Sequence, residues 1–105
     1  MKYRLVEGEQ IPILEYSSTY EFIDIFSQFE DFMYAKLVTK ITEILDTRSD
    51  DDYILLALLG DSEFMFGSPS CVWEDNLNAA LQHYILTEQY EHCMEVTLLL
   101  KRLKE

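Results

Sequence analysis

The chain has 105 residues, 49% of them hydrophobic, and carries 20 acidic against eight basic side chains, a formal net charge of −12. This size and composition predict a single globular domain over residues 1–105 and exclude a disordered or fibrous chain. The excess negative charge repels phosphate backbones and anionic membranes. It therefore argues against direct nucleic-acid or membrane binding and favours a basic protein as the partner.

The sequence shows no segment that would direct it into or across a membrane. Its longest apolar run, Tyr53–Leu59, is far shorter than the roughly 18 residues that a span requires, and no signal-type apolar segment follows Met1. We therefore expect a cytoplasmic protein. Cys71 and Cys93 have no second cysteine nearby, which is typical of reduced, buried thiols.

The first 16 residues predict a short β-hairpin or an extended arm. Two apolar runs, residues 3–6 and 11–14, flank the turn-like residues 7–10. Pro12 lacks the amide that a strand ladder uses, so its strand is expected at a sheet edge.

Residues 18–67 are expected to form a helical core. Ser18 and Glu21 have the spacing of a capping box, which predicts a helix start. Apolar residues then recur in steps of three and four and define one helical face: Phe22, Phe26, Phe29, Met33, Leu37, Ile41 and Ile44. A straight helix over residues 19–46 would be about 42 Å long, more than the roughly 30 Å width of a small domain. We therefore expect a bend near residues 27–30, or otherwise a homodimer that covers the overhang.

An acidic link precedes the most apolar segment of the chain. Asp50, Asp51 and Asp52 are placed to cap the following helix and to meet its positive end. Tyr53–Leu59 is apolar on every side, which predicts a short central helix ending at Gly60, with a buried strand as the alternative. Residues 61–67 then predict a loop.

Residues 68–105 predict an antiparallel helical hairpin. Ser68 and Pro69 resemble a cap followed by proline at the first helical position. The first helix runs through Trp73, Leu77, Ala80, Leu81 and Tyr84, and the second through Tyr90, Cys93, Met94, Leu100 and Leu103. Thr87 and Glu88 offer the one break, so a continuous helix is the alternative, but a hairpin buries two apolar faces. The predicted fold class is mainly α: a small helical domain with an N-terminal β-hairpin or extended arm and this C-terminal hairpin.

No motif in the sequence indicates catalysis. It lacks a phosphate-binding glycine loop, a nucleophile elbow and a paired-histidine metalloprotease motif. His92 and Cys93 point about 100° apart on a helix, so a zinc site would need ligands from distant segments such as His83 and Cys71. The carboxylate pairs lie on predicted solvated faces rather than in an apolar pocket. We therefore expect no enzyme, no cofactor and no metal.

The carboxylates instead suggest a binding surface. Rows of carboxylates several ångströms apart can stand in for phosphates at the basic site of another protein, although a merely solvated acidic face is the alternative. The aromatic residues near the loop would anchor such an interface if they are exposed, and would form a core lid if they are buried. The candidate partner-binding residues are Asp50, Asp51, Asp52, Asp61, Glu63, Phe64, Phe66, Trp73, Glu88, Glu91 and Glu95.

The C-terminal segment carries acidic, aromatic and apolar residues at a recurring spacing. These residues are Glu88, Tyr90, Glu91, Cys93, Val96, Leu100 and Leu103, with Leu77, Ala80 and Leu81 in the preceding helix. Residues 77–103 thereby resemble the UVR-type helical hairpin of excision-repair subunits and some protease adaptors. The Arg-Asp pair usual in that family is replaced by Thr97 and Leu98. The resemblance implies a protein–protein docking hairpin that sometimes self-associates.

Two functional hypotheses follow from the sequence. The favoured one is a non-enzymatic acidic protein that blocks a basic partner, such as one that handles nucleic acids, as inhibitors, immunity proteins and phage anti-defence proteins do. The alternative is a structural or adaptor protein that self-associates through the hairpin of residues 77–103, which would make it a homodimer.

Overall fold

The computed structural model describes residues 2–15, 23–24, 27–59 and 65–105. The elements in chain order are β1 (Lys2–Val6), β2 (Glu9–Leu14), α1 (Glu30–Thr47), β3 (Tyr53–Leu59), β4 (Met65–Pro69), a 3-10 turn (Ser70–Val72), α2 (Trp73–Leu86) and α3 (Tyr90–Leu103). The strands form one four-stranded mixed sheet. The prediction of a mainly α domain is therefore wrong, because part of the expected helical core forms two strands that join the N-terminal hairpin.

The N-terminal residues form the predicted hairpin rather than an arm. β1 and β2 are antiparallel, with Val6 opposite Glu9. The two turn residues, Glu7 and Gly8, have φ angles of 52° and 84°. Two successive positive φ angles are typical of the type I′ turn, whose twist matches that of the flanking strands.

The sheet has the strand order β1-β2-β3-β4. β2 runs parallel to β3, with Ile13 opposite Leu58 and Leu14 opposite Leu59, and β4 runs antiparallel to β3. The expectation that Pro12 lies on an edge strand is wrong, since β2 has a neighbour on each side. The strand accommodates Pro12 because its pairing with β3 begins one residue later, so the missing amide is not needed there.

β3 occupies the segment where a short helix is predicted. That helix and its acidic cap do not form, and the alternative of a buried strand is confirmed: Ile54, Leu56, Ala57 and Leu58 are buried. A continuous apolar run suits an inner strand that is covered on both faces. Leucine and alanine favour helices locally, but pairing on both sides of this strand overrides that preference.

β4 takes up the last part of the expected loop. Gly67 lies opposite Leu55, and a Cβ atom at this position would overlap the hydroxyl end of Tyr53. Glycine therefore permits the close packing of β4 on β3.

α1 begins at Glu30, inside the segment where the sequence predicts a bend. Met33, Leu37 and Ile41 are buried, which confirms the predicted helical face for this helix. The capping box at Ser18 and the expected stop at Gly60 lie outside the residues that the structure describes.

α2 and α3 form the predicted hairpin, and the alternative of one continuous helix is wrong. Glu88 adopts a φ of 58° between the two helices, and the Gln89 amide donates to the Tyr84 carbonyl at 2.8 Å. α2 begins at Trp73, after the 3-10 turn, instead of directly after Ser68 and Pro69.

The main core lies between α1, β3 and the α2–α3 hairpin. Its buried members are Leu37, Ile41, Ile54, Leu56, Trp73, Leu77, Ala80, Tyr84, Val96 and Leu99. Tyr90 and Met94, which the sequence assigns to the hairpin interior, are 62% and 68% exposed, so that assignment is wrong. α3 buries Val96 and Leu99 instead, because it carries apolar residues on both faces and only one face can meet the core.

Candidate protein-binding surfaces

An acidic groove lies at the end of the sheet where β2 and β3 begin. Because these two strands are parallel, their first residues lie at the same end of the sheet. The groove has a volume of about 550 Å³, and its lining draws on β1, β2, the last turns of α1, the link and β3. The charged side chains among its described lining residues are Glu7, Glu9, Glu43, Asp51 and Lys40. The fold thus collects carboxylates from three separate segments of the chain, namely the β1–β2 hairpin, α1 and the link, around one groove, which is called the acidic groove below.

Among the carboxylates of the groove, Glu9 forms the shortest ion pairs with lysines of the same chain. It lies 3.2 Å from Lys36 Nζ through Oε1 and 3.2 Å from Lys40 Nζ through Oε2. Burial raises the pKa of Glu9, but the hydrogen bonds and charges of Lys36 and Lys40 outweigh burial and hold that pKa below its ordinary value of 4.5. Glu9 therefore stays ionised at neutral pH and offsets part of the positive charge of the two lysines.

The three predicted aspartates of the link lie beside the groove and are exposed. The backbone of the link is fixed, since the Asp51 amide donates to Ser49 Oγ at 3.2 Å and the Asp52 carbonyl accepts from the Ser70 amide at 2.6 Å. None of the side chains of Asp50, Asp51 and Asp52 forms an ion pair with another described residue. Their negative charge therefore faces solvent and is available to a partner.

A second acidic cluster lies at the other end of α1, about 27 Å away along an 18-residue helix at roughly 1.5 Å per residue. His83 of α2 bridges two carboxylates, with Nδ1 2.9 Å from Glu30 Oε2 and Nε2 2.6 Å from Asp31 Oδ1. Gln89 Nε2 also donates to Asp31 Oδ1 at 3.1 Å. The cluster thus ties the start of α1 to the α2–α3 turn.

The electrostatics of this second cluster are set mainly by His83. Its hydrogen bond, with that of Gln89, holds the pKa of Asp31 below its ordinary value of 3.8. Asp31 and Glu30 also lie in the first turn of α1, where the helix dipole favours negative charge. These carboxylates therefore stabilise the packing of helices.

The predicted site residues of the hairpin lie outside the acidic groove. Glu88, Glu91 and Glu95 are exposed, and Glu95 lies 3.8 Å from His92 Nδ1. Glu88 lies in the turn beside this cluster, whereas Glu95 lines a small pocket with Val38 and Thr39 near the middle of α1. The structure therefore distributes the predicted acidic residues over more than one part of the surface.

The structure does not support Trp73 as an interface anchor. Trp73 is only 6% exposed, and its Nε1 donates to the Ser68 carbonyl at 2.9 Å, so it is a core residue. The alternative reading, burial, applies to it. Phe66 belongs to strand β4, while Asp61, Glu63 and Phe64 lie outside the described residues.

An apolar cavity of about 460 Å³ lies between the first half of α1, the sheet and α2. Its lining includes Glu30, Met33, Tyr34, Leu37, Leu56, Asp75, Asn76 and Ala79. Burial, and then the charge of Glu30, raise the pKa of the Tyr34 phenol, which therefore stays protonated at neutral pH. The charged groups of this lining are the carboxylates of Glu30 and Asp75, and that of Glu30 already contacts His83.

The sequence reasoning missed an apolar face on α3. Tyr90, Met94 and Leu98 are 62%, 68% and 62% exposed. Their spacing of four residues places them on one side of the helix, opposite the buried Val96 and Leu99. We call Tyr90, Met94 and Leu98 the outer stripe. The signal in the sequence was the number of large apolar residues in α3, which exceeds what one buried face requires.

Within the described ranges, no group of three or more His, Cys, Asp or Glu side chains is arranged to hold a metal ion. Cys71 is exposed and Cys93 half-buried, so the prediction of two buried thiols is wrong for Cys71. Among the helices described, none is both long and apolar enough to cross a membrane.

Comparisons with protein-family models, curated proteins and solved structures found no match. The resemblance of residues 77–103 to the UVR-type hairpin therefore stays a prediction. The two candidate binding surfaces of this chain are the acidic groove at one end of α1 and the outer stripe of α3.

Proposed function

We propose that this protein is a non-enzymatic binding module that blocks a basic partner protein through the acidic groove. The observation that carries the proposal is the position of Glu7 and Asp51 in one groove, with Asp50 and Asp52 exposed beside it. Carboxylates that line a concave surface concentrate their field there, which attracts cationic groups and speeds encounter. A partner whose own site is basic, such as one that handles nucleic acids, is the natural target.

The state of the lysines near the groove supports this proposal. Lys36 and Lys40 would repel a basic partner if they were unpaired, but both contact Glu9. Lys40 also lies 3.8 Å from Glu43. Because these contacts offset the lysines locally, the field beside the groove is dominated by the aspartates of the link.

The test compares two variants that lose the same charge, one at the groove and one away from it. The groove variant carries Asp50→Asn and Asp51→Asn, and the control carries Glu88→Gln and Glu95→Gln. Each immobilised protein captures partners from lysate of the native host, and mass spectrometry identifies them. We expect the groove variant to bind the captured basic protein on the order of tenfold more weakly, and the control to bind it nearly as wild type does.

The salt dependence of association provides a second readout. Exposed charges are screened at high ionic strength, so the association rate should fall as salt rises. Equal binding of the partner by both variants, or a rate that does not change with salt, would contradict a blocking role for the groove.

A further inference from the structure

The outer stripe of α3 is an apolar face that the described part of the chain leaves uncovered. Tyr90, Met94 and Leu98 each expose about two-thirds of their surface, whereas Val96 and Leu99 on the inner side expose 0% and 3%. Large apolar side chains aligned on one helical face favour association with another apolar surface.

The charges of α3 and its flanks change sign along the helix. Glu88, Glu91 and Glu95 lie in or just before its first half, and Lys101, Arg102 and Lys104 lie at its end. Two such helices side by side in parallel would oppose like charges, whereas the antiparallel orientation opposes acidic to basic residues. The surface is therefore complementary to itself in one orientation, which is the condition for a two-fold symmetric interface.

We infer that a second copy of this chain docks on the outer stripe, with the two α3 helices antiparallel. This inference does not rest on the proposed blocking function, because none of its residues lines the acidic groove. A second copy fits the outer stripe because the same surface of this chain supplies the apolar side chains and charges of both signs. Glu91 and Lys101 form no ion pair with a described residue of their own chain, so both are available across the interface.

The stripe also fixes the register. When Met94 packs against Leu98 of the second copy, two-fold symmetry brings Leu98 against Met94 on the other side of the axis. The same register places Glu91 opposite Lys101 of the second copy. Arg102 keeps its own contact, with Nη2 2.9 Å from Asp46 Oδ1 in the same chain. The charge pair to test is therefore Glu91 with Lys101.

The first experiment measures the dimer dissociation constant by sedimentation equilibrium over a range of protein concentrations. Met94→Glu should weaken the dimer at least about tenfold, because it removes a central apolar contact and places a carboxylate in the seam. Leu5→Glu is the control, since Leu5 is 69% exposed on β1, away from α3. Circular dichroism and thermal unfolding show that both variants keep the fold. A protein that is monomeric at the highest concentration, or a dimer insensitive to Met94→Glu, would overturn the inference.

The second experiment tests the orientation by charge exchange. Glu91→Lys and Lys101→Glu should each weaken the dimer roughly two- to tenfold, because each creates two like-charge pairs per dimer. The double variant restores opposite charges at both pairs and should return the constant close to that of wild type. A double variant weaker than either single one would exclude the antiparallel register.

Discussion

The two ends of α1 are both rich in carboxylates, but they use them differently. At the start of the helix, Glu30 and Asp31 contact His83, and Gln89 donates to Asp31 as well. At its far end, the aspartates of the link have no ion-pair partner among the described residues. Both ends of α1 carry several acidic residues, so their presence alone does not identify a binding site. What identifies it is whether the fold already supplies the partners.

The largest effect on stability is expected at the start of α1, where His83 contacts the carboxylates. His83→Ala removes both imidazole contacts and the ring packing against Tyr34 and Tyr84, whose centroids lie 5.2 and 5.5 Å away. We expect it to lower the free energy of unfolding by about 1–2 kcal/mol, measured by urea denaturation. His92→Ala is the matched control, because His92 is more exposed and its one ion contact is 3.8 Å long. Equal losses of unfolding free energy for both variants would mean that the contacts of His83 with Glu30 and Asp31 add nothing to stability.

A smaller effect is expected in acid. The pKa of Asp31 is lowered in the folded protein, chiefly by the His83 hydrogen bond, so its stabilisation is present above the ordinary value of 3.8. That stabilisation is lost as the pH falls through the lowered folded pKa. Asp31→Asn should therefore reduce the loss of unfolding free energy in acid by about 0.5 kcal/mol. The effect is small because the Asp31 side chain is 68% exposed and its charge is screened by water. Urea unfolding followed from neutral pH down to about pH 2 measures it, and unchanged curves would contradict it.

The smallest effect, of opposite sign, is expected at the link. Neutralising Asp50, Asp51 and Asp52 as asparagines removes repulsion between neighbouring carboxylates and breaks no described ion pair. The free energy of unfolding should stay constant or rise by a few tenths of a kcal/mol, measured by thermal unfolding. A loss above roughly 1 kcal/mol would show that these carboxylates serve the fold, as those at the other end do.

The ends of the chain were more predictable from the sequence than its middle. The two hairpins follow from local signals: Gly8 within the β-turn, and Thr87 and Glu88 between two apolar helical patterns. β3 was not predicted as the first choice, since its leucines and alanine favour a helix locally. Its strand state depends on Ile13 and Leu14, which are distant in sequence and supply the parallel neighbour.

The candidate site was predictable only in part, for a related reason. The exposed aspartates of the link could be found from their charge. Their companion Glu7 reaches the groove through the parallel pairing of β2 with β3, and Glu43 reaches it through the packing of α1 against β3. The outer stripe was missed because periodicity identifies two apolar faces on α3 without saying which one the core takes. Trp73 was named as a candidate anchor with burial as the alternative, because the sequence does not reveal the hydrogen bond of its Nε1 with the Ser68 carbonyl.

The parallel pairing of β2 with β3 also bears on how the chain is made. β2 ends at Leu14, and its neighbour does not begin until Tyr53. At about 5–20 residues per second, a ribosome needs roughly two to eight seconds to reach that strand, and β2 meanwhile has an open edge. Open edges invite wrong pairing between nascent chains, and a strand that contains proline offers one donor fewer to such pairing. The missing amide of Pro12 thus makes the open edge of β2 a poorer template for such pairing in the interval before β3 is available.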